Sequence, residues 1–500
     1  MDKTTPTGIE KLATHIPGFD HIALGGLPKY RTTLVSGTAG SAKTVFAAQF
    51  LAEGITKSGK QGVFVTFEES PDDIRNNMSS MGWDIETWER EGKWLFVDAS
   101  AAPGDAPVIA GSYDLGALLA RIEHAITTIQ ADRVSLDSLD AIFTQLPDRA
   151  AVRRELLRIA ATLKKMKVTA VMTAERIQEY GEISRFSVEE FVSDNVVILR
   201  NVLIEEKRRR TLEILKFRGA DHKKGGHPFT VVRGEGLVVI PLSAIELKQN
   251  SSNIRVSSGN TELDAMCGGG IFRDSIILVS GNTGTGKTVL ASEFMAGGLK
   301  AGERTLLFAF EESREQLFRN ASDLAGHFEE MERDGMLKVI CEYPEIMGLE
   351  DHLIKMNKTI RDFRPTRVAV DSISALERVT TEKGFREFVI SLVYSIKQQQ
   401  ISALFTSTTP TQLGGSTITE AHISATTDSI ILLRNVEMNG EMRRALTVLK
   451  MRGSQHDKNI REFFIDASGI HIGEPFRKVN GILLGRPVMD RSSEQGPEPE

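Results

Sequence analysis

The 500-residue chain carries one series of motifs twice, and no other feature limits its possible folds as strongly. The run Leu34–Phe50 (LVSGTAGSAKTVFAAQF) returns as Leu278–Phe294 (LVSGNTGTGKTVLASEF). Phe64–Ser70 returns as Leu307–Ser313, Arg133–Ser138 as Arg367–Ser372, and Thr211–Gly219 as Ala445–Gly453. Four motifs in one order at nearly constant spacing mean tandem copies of a single domain. The expected division is 1–243 for the first copy and 244–485 for the second, with an acidic, structureless tail at 486–500. The polar stretch Gln249–Asn253 between the copies has the composition of a linker.

Within each copy, short β-rich runs alternate with helical patterns. In the first, residues 33–36, 62–67, 94–97, 134–137, 169–173 and 196–199 read as strands, several continuously apolar as in a sheet covered on both faces. Val152, Leu156, Ile159, Leu163 and Met166 keep helical spacing, as do Phe385, Val389, Leu392 and Ile396. Alternation of this kind predicts an α/β fold in each copy, a mostly parallel sheet flanked by helices, and the phosphate-binding motif described next makes the two tandem copies P-loop NTPase domains.

Gly281, Asn282, Thr283, Gly284, Thr285, Gly286, Lys287 and Thr288 match GxxxxGK[ST] in full, between a β-rich run and a helical pattern. Glycines let backbone amides turn inward around phosphates, and the following helix N-terminus favours negative charge. Lys287 is expected to reach the β- and γ-phosphates of ATP, and Thr288 to ligate Mg²⁺. The first copy reads Gly37, Thr38, Ala39, Gly40, Ser41, Ala42, Lys43 and Thr44, with alanine where the last glycine belongs. A negative φ at Ala42 would only crowd the cradle, whereas a positive φ would strain it by ~1 kcal/mol or more.

Asp137 and Asp371 each end a β-rich run, as Walker B aspartates facing Mg²⁺ do. The pairs Glu68-Glu69 and Glu311-Glu312 fall at the same C-terminal sheet edge, where ligands of such sheets bind. One carboxylate of each pair can serve as general base, since a like-charged neighbour and partial burial raise a pKa. A strand-ending carboxylate is also an ordinary cap; recurrence beside two P-loops favours the functional reading. Lys216 with Arg218, and Lys450 with Arg452, are cation pairs at the end of each copy, suited to neutralising a γ-phosphate held by a neighbouring subunit. The run Lys207–Arg210 reads as a solvated turn.

Composition narrows the function classes. Sixty-one Lys+Arg against 67 Asp+Glu give a net charge of −6, so no bulk positive field draws nucleic acid or an anionic membrane, and neither is expected as a partner. The apolar runs are strand-length, far below the ~20 residues of a membrane span. Residues 1–6 are polar, and the two cysteines, Cys267 and Cys341, lack metal-ligand spacing, which together fit a cytoplasmic chain.

These motifs, in this order and in duplicate, resemble KaiC, the two-ring circadian-clock ATPase and autokinase of the RecA-like class. The resemblance runs from about Ile16 to Arg486 and includes the strings Val192–Asn201 and Met451–Ser454. It implies stacked hexameric rings with ATP between subunits, a first ring that hydrolyses ATP and offers a KaiB-like protein a surface, and a second ring that phosphorylates its own chain. Residue by residue it implies Lys287, Thr288, Glu311, Glu312, Asp371 and Arg378 in the second site, Glu311 as base, and Lys450 and Arg452 reaching in from a neighbour. The acceptor segment matches 416–426: Ser424 stands at the family's first acceptor position, and Ala425 replaces the threonine of the second. The tail is shorter than in the clock protein that binds KaiA, which argues against KaiA dependence. Two other readings of the same fold are a nucleotide-dependent signalling scaffold with vestigial first-ring catalysis and a ring-shaped DNA motor.

Overall fold

The computed structural model describes residues 9–100, 115–143, 146, 148–184, 192–204, 206–241, 251–320, 328–409, 423–438, 440–477, 479–482 and 488–489. The chain divides into two compact units, Met1–Ile245 and Glu246–Glu500. Residues 249–250, the tail beyond residue 489, and 416–422 of the acceptor segment lie outside the described residues.

The first unit is built on a nine-stranded sheet: β1 (Thr32–Gly37), β2 (Gly62–Thr66), β3 (Trp94–Asp98), β4 (Arg133–Asp137), β5 (Thr169–Glu175), β6 (Asn195–Ile204), β7 (Lys207–Phe217), β8 (Gly226–Val232) and β9 (Gly236–Val239). Their spatial order is β9-β8-β7-β6-β1-β5-β4-β2-β3. From β6 to β3 every pairing is parallel; from β6 to β9 every pairing is antiparallel. The second unit repeats this with β10 (Ile276–Gly281), β11 (Thr305–Ala309), β12 (Leu337–Cys341), β13 (Arg367–Asp371), β14 (Ser402–Thr408), β15 (Ser429–Met438), β16 (Glu441–Met451), β17 (Arg461–Asp466) and β18 (Gly469–Pro475), in the order β12-β11-β13-β14-β10-β15-β16-β17-β18.

The antiparallel wing corrects one expectation. Lys207–Arg210 is not a turn but the start of β7, paired residue by residue with Ile204–Asn201 of β6. Only residues 205–206 separate the two strands, far too few for a parallel crossover, so the chain must double back as a hairpin. Cations in this strand keep their backbones in the ladder while the side chains reach out; Arg208 donates to the Asn201 carbonyl at 2.8 Å.

Helix α1 (Lys43–Ser58) begins directly after the first P-loop and ends on Gly59, whose φ of 62° supplies the left-handed stop. It buries Phe46, Ala47, Phe50 and Leu51 completely against the sheet, each large side chain contributing about 2–3 kcal/mol of burial. Ser135 of β4 donates to the Ala47 carbonyl at 2.8 Å and Arg133 to the Phe50 carbonyl at 2.6 Å, pinning the helix above the strand that ends in Asp137. The two amphipathic patterns become α2 (Arg149–Lys165), capped by the Asp148 carboxylate, and α4 (Glu382–Gln398), capped by the Thr381 hydroxyl. Between them in sequence, α3 (Lys287–Lys300) follows the second P-loop as α1 follows the first.

Candidate functional site

Parallel strands deliver their C-terminal ends to one edge of each sheet, and the motif residues collect there. In the second unit the P-loop leaves β10 at Gly281 and enters α3 at Lys287. The Lys287 ammonium donates to the Asn282 carbonyl at 2.8 Å, and burial pushes its pKa down. The Thr285 hydroxyl closes the loop on the same carbonyl at 2.8 Å. Thr283 and Gly284 form its exposed crest, and Gly286 takes φ 98°.

The first P-loop has the same outline. Lys43 donates to the carbonyls of Gly37 and Thr38, both at 3.0 Å, and burial lowers its pKa too. Ala39 and Gly40 form the exposed crest, and Ser41 is buried beneath it, its N–H bonded to the Thr38 carbonyl at 3.2 Å. Ala42 stands at φ 72°, ψ 30°, the left-handed conformation of Gly286. The alternative that carries strain is thus the one realised, at ~1 kcal/mol for an L-residue with a Cβ.

Asp137 and Asp371 end β4 and β13 and are 8% and 7% exposed. Burial pushes both carboxyls above the usual range, opposed by hydrogen bonds from Thr173 and Thr44 in the first unit and from Thr406 and Thr288 in the second. The sequence-predicted metal pairs, Thr44 with Asp137 and Thr288 with Asp371, are therefore in contact. Thr173 and Thr406 were missed by sequence reasoning because each lies on the neighbouring strand, about thirty-five residues further along the chain.

The glutamate pairs divide their work. Glu311 accepts from the Ser372 hydroxyl at 3.0 Å and from Arg378 Nη2 at 3.2 Å; Glu68 accepts from Ser138 at 3.1 Å. Both serines directly follow Asp137 and Asp371, so the first glutamate of each pair is tied to the neighbour of the strand-ending aspartate. Glu312 and Glu69 turn instead to Asn320 at 3.3 Å and Asn77 at 3.0 Å, and burial raises the pKa of each. The serine in each Asp-Ser repeat was visible in sequence as a recurring string; its role was not.

The cation pairs sit elsewhere. Lys450 donates to the carbonyls of Ser424 and Thr427 at 2.7 and 2.9 Å, and Arg452 to that of Ala425 at 2.8 Å. Lys216 donates to the Ser193 carbonyl at 2.9 Å and Arg218 lies 3.4 Å from the Asp194 carboxylate. In each unit the pair thus grips the segment leading into β6 or β15, and in the second unit that segment carries Ser424.

Among the described residues no helix is long and apolar enough to cross a membrane, and no group of three or more His, Cys, Asp or Glu could hold a metal by themselves. A family model described as "ATPase: KaiC" matches residues 12–244 and again 256–477. The chain is 65% identical over 487 residues to the circadian clock protein KaiC3 of Synechocystis sp., covering 97% of this chain and 96% of that protein. It is 54% identical over 480 residues to the circadian clock oscillator protein KaiC of Thermosynechococcus vestitus, covering 96% and 92%, and 52% identical over 490 residues to the oscillator protein KaiC 1 of Synechocystis sp.. Duplicated P-loop units, matched motif by motif and over nearly the whole length, lead to one conclusion: this chain belongs to the KaiC family of ATPases.

Proposed function

We propose that this chain forms a homohexameric double ring that binds and hydrolyses ATP in both units, and that its second unit is a serine/threonine autokinase acting on Ser424. The setting is a circadian-clock or related timing or stress signalling system in the cytoplasm. The observation that carries the kinase reading is Glu311, held by Ser372 and Arg378 at the sheet edge that also bears Lys287, Thr288 and Asp371. Phosphoryl transfer needs a carboxylate fixed beside the phosphate cradle, and this is one.

Mg²⁺ fits the donors present, a hydroxyl and a carboxylate oxygen in each unit: Thr44 with Asp137, and Thr288 with Asp371. Bound there it supplies neutralisation of the phosphate charge. The chain's own part follows from its geometry. Lys287 exchanges the Asn282 carbonyl for phosphate oxygens. Glu311 accepts the proton of the Ser424 hydroxyl as the Oγ–P bond forms and the bond to the ADP leaving oxygen breaks. Lys450 and Arg452, which hold the carbonyls of Ser424, Thr427 and Ala425, are the cations that one subunit supplies to the γ-phosphate held by the next, and they position the acceptor segment beside it. In the first unit Glu68, held by Ser138, would orient a water in the same way, with Lys216 and Arg218 as the cations.

A KaiB-like protein at the first ring is the partner implied by family membership, and KaiA dependence is not part of the proposal. The strained Ala42 gives the scaffold reading its one specific support, since a first P-loop that keeps its outline at a cost in strain and with an added methyl can retain binding while hydrolysis falls. Incubation of the full chain with γ-labelled ATP, followed by phosphosite mapping, tests the proposal: label on Ser424 supports it, and unlabelled chain with intact nucleotide binding leaves the scaffold.

A further inference from the structure

The cations that close each unit stand far from that unit's own P-loop. Phe217 lies level with Asn195 and so with Thr33 at the start of β1, whereas the first P-loop leaves β1 at Gly37. Met451 lies level with Ser429 and Ile277, and the second P-loop leaves β10 at Gly281. Four residues of strand, about 13 Å, separate the two levels in each unit. Lys216, Arg218, Lys450 and Arg452 are therefore at the opposite edge of the sheet from their own phosphate cradle, and a nucleotide phosphate that they reach belongs to another copy of the chain.

The same device holds them in both units, an aspartate one position before the neighbouring strand: Asp194 precedes β6 and Asp428 precedes β15. The Asp194 carbonyl accepts from the Arg218 N–H at 3.1 Å and the Asp428 carbonyl from the Arg452 N–H at 2.9 Å, which extends each ladder by one pair. The side chains of that pair also meet, Arg218 Nη1 at 3.4 Å from Asp194 Oδ1 and Arg452 Nη1 at 3.9 Å from Asp428 Oδ1. The carboxylates are 15% and 17% exposed and the guanidiniums 55% and 52%, so the aspartates are anchored and the arginines face outward.

A second cation neutralises each carboxylate from the inner side. Arg31, directly before β1, lies 2.9 Å from Asp194, and Lys397, in the last turn of α4, lies 2.8 Å from Asp428. Asp428 also accepts the Ile276 N–H at 2.9 Å. The inner cation comes from different places in the two units, whereas the carboxylate and the outward arginine recur. Separations of 3.4 and 3.9 Å exceed the ~2.7–2.9 Å of a tight charge-assisted hydrogen bond, so each aspartate orients its arginine without consuming the donors. Burial and Arg452 push the pKa of Lys450 down, and Asp428 opposes them, which keeps that ammonium charged as well.

We infer that Asp194 and Asp428 are positioning residues for the neighbouring subunit's nucleotide site: each fixes the strand end and the direction of the cations that its own subunit supplies to the next. The inference deepens the proposed function and rests on its reading that these cations act across a subunit boundary. The effect of each aspartate falls on the chemistry of the adjacent subunit.

Complementation between full-length variants tests this, with the chains told apart by a size tag, mixed before nucleotide is added and then given γ-labelled ATP and Mg²⁺. Asp428→Asn alone should lower labelling about tenfold to a hundredfold, the scale of misplacing a group that acts in transfer. Lys287→Ala lacks a working second P-loop but keeps Asp428. In the mixture an Asp428→Asn subunit retains its P-loop and takes cations from a Lys287→Ala neighbour, so label should return on the Lys287→Ala chain. Arg452→Ala mixed with Lys287→Ala is the control and should label the same chain. An aspartate that supports only its own P-loop strand, through the Ile276 N–H, gives no such return. That result beside a labelled control, or full labelling by Asp428→Asn alone, overturns the inference. An unlabelled control overturns the cross-subunit reading itself, and this inference with it. If Asp428→Asn does not fold, Asp194→Asn decides on the first unit. With Lys287→Ala in every chain, ATP hydrolysis by a mixture of Asp194→Asn and Lys43→Ala should exceed the mean of the two alone, and hydrolysis equal to that mean overturns the inference.

Discussion

Lys450 Nζ holds the backbone carbonyl of Ser424 at 2.7 Å and that of Thr427 at 2.9 Å, so a cation from the last motif of the second unit clamps the short turn that presents the candidate phosphoacceptor. Arg452 adds a third bond, to Ala425. Inside this turn the Thr426 hydroxyl donates to the Ile423 carbonyl at 2.9 Å, which turns it back into the chain.

The first prediction follows from that turn. Ser424→Ala should remove most label from a chain incubated with γ-labelled ATP, and Thr426→Ala should remove little, because Thr426 is engaged locally and Ala425 has no hydroxyl. Phosphopeptide mapping reads both. Undiminished labelling of Ser424→Ala rejects the acceptor assignment.

Glu311→Gln keeps the side chain's size and its bond from Ser372 but removes the proton-accepting charge and the ion pair with Arg378. Transfer to the chain should fall by about 10²–10⁴-fold, the usual span of general-base catalysis, while ATP binding changes little. Single-turnover labelling beside equilibrium nucleotide binding separates the two. Efficient transfer by the variant would assign the base elsewhere, with Glu312 next in line.

The P-loops differ at their last residue before the lysine, and that difference has measurable consequences. Gly286→Ala forces a Cβ into φ 98° and within 2.5 Å of Ile465 Cδ1, so the second unit should lose about 1–2 kcal/mol of stability, the methyl clash being relieved by a rotamer change. Ala42→Gly removes strain already present but loosens the unfolded chain, and its net effect should stay within ~1 kcal/mol. Autophosphorylation should survive Ala42→Gly and vanish in Lys287→Ala. Thermal melts of the nucleotide-free chain and labelling assays check each, and a labelled Lys287→Ala chain would move kinase work out of the second unit.

Much of this was legible because duplication filters coincidence. A lone aspartate at a strand end is an ordinary cap, but Asp137 and Asp371 recur beside two P-loops, and the six parallel strands of the first unit announced themselves as β-rich runs, several of them continuously apolar. The antiparallel wing was less visible. Lys207–Arg210 looks solvated because its side chains are charged, yet its backbone belongs to a ladder set by the neighbouring β6, and no local signal encodes that pairing. Thr173 and Thr406 were invisible for the same reason: each meets its partner only after about thirty-five residues of intervening chain have folded back. The φ of Ala42 was left open by sequence and decided by the loop's closure onto α1.

The last prediction concerns a carboxylate that no part of the proposed chemistry uses. Glu293 of α3 is 5% exposed, accepts from the Ile470 N–H at 2.7 Å and from Asn260 Nδ2 at 3.2 Å, and joins the helix behind the second P-loop to edge strand β18. At the matching place in the first unit Gln49 accepts from the Leu237 N–H at 2.7 Å and donates to the carbonyls of Glu235 and Leu237. One copy therefore makes this join with a group that can ionise and the other with an amide that cannot. Burial pushes the Glu293 carboxyl up from 4.5 to about 7, opposed by those two hydrogen bonds and by His471, with Glu262 adding a smaller upward push. Because the folded state binds this proton more tightly than the unfolded state, the group costs nothing below pH 4.5. Its penalty grows as pH rises toward 7 and is complete above it, on the order of 3 kcal/mol for a shift of that size. Glu293→Gln installs the first unit's solution. It should flatten the fall in thermal stability of the second unit between pH 5 and 8 and raise its melting temperature at pH 8, with little change at pH 5. Identical pH profiles for the two proteins would mean that Glu293 titrates in the ordinary carboxylate range and that its burial is compensated by the bonds from Ile470 and Asn260.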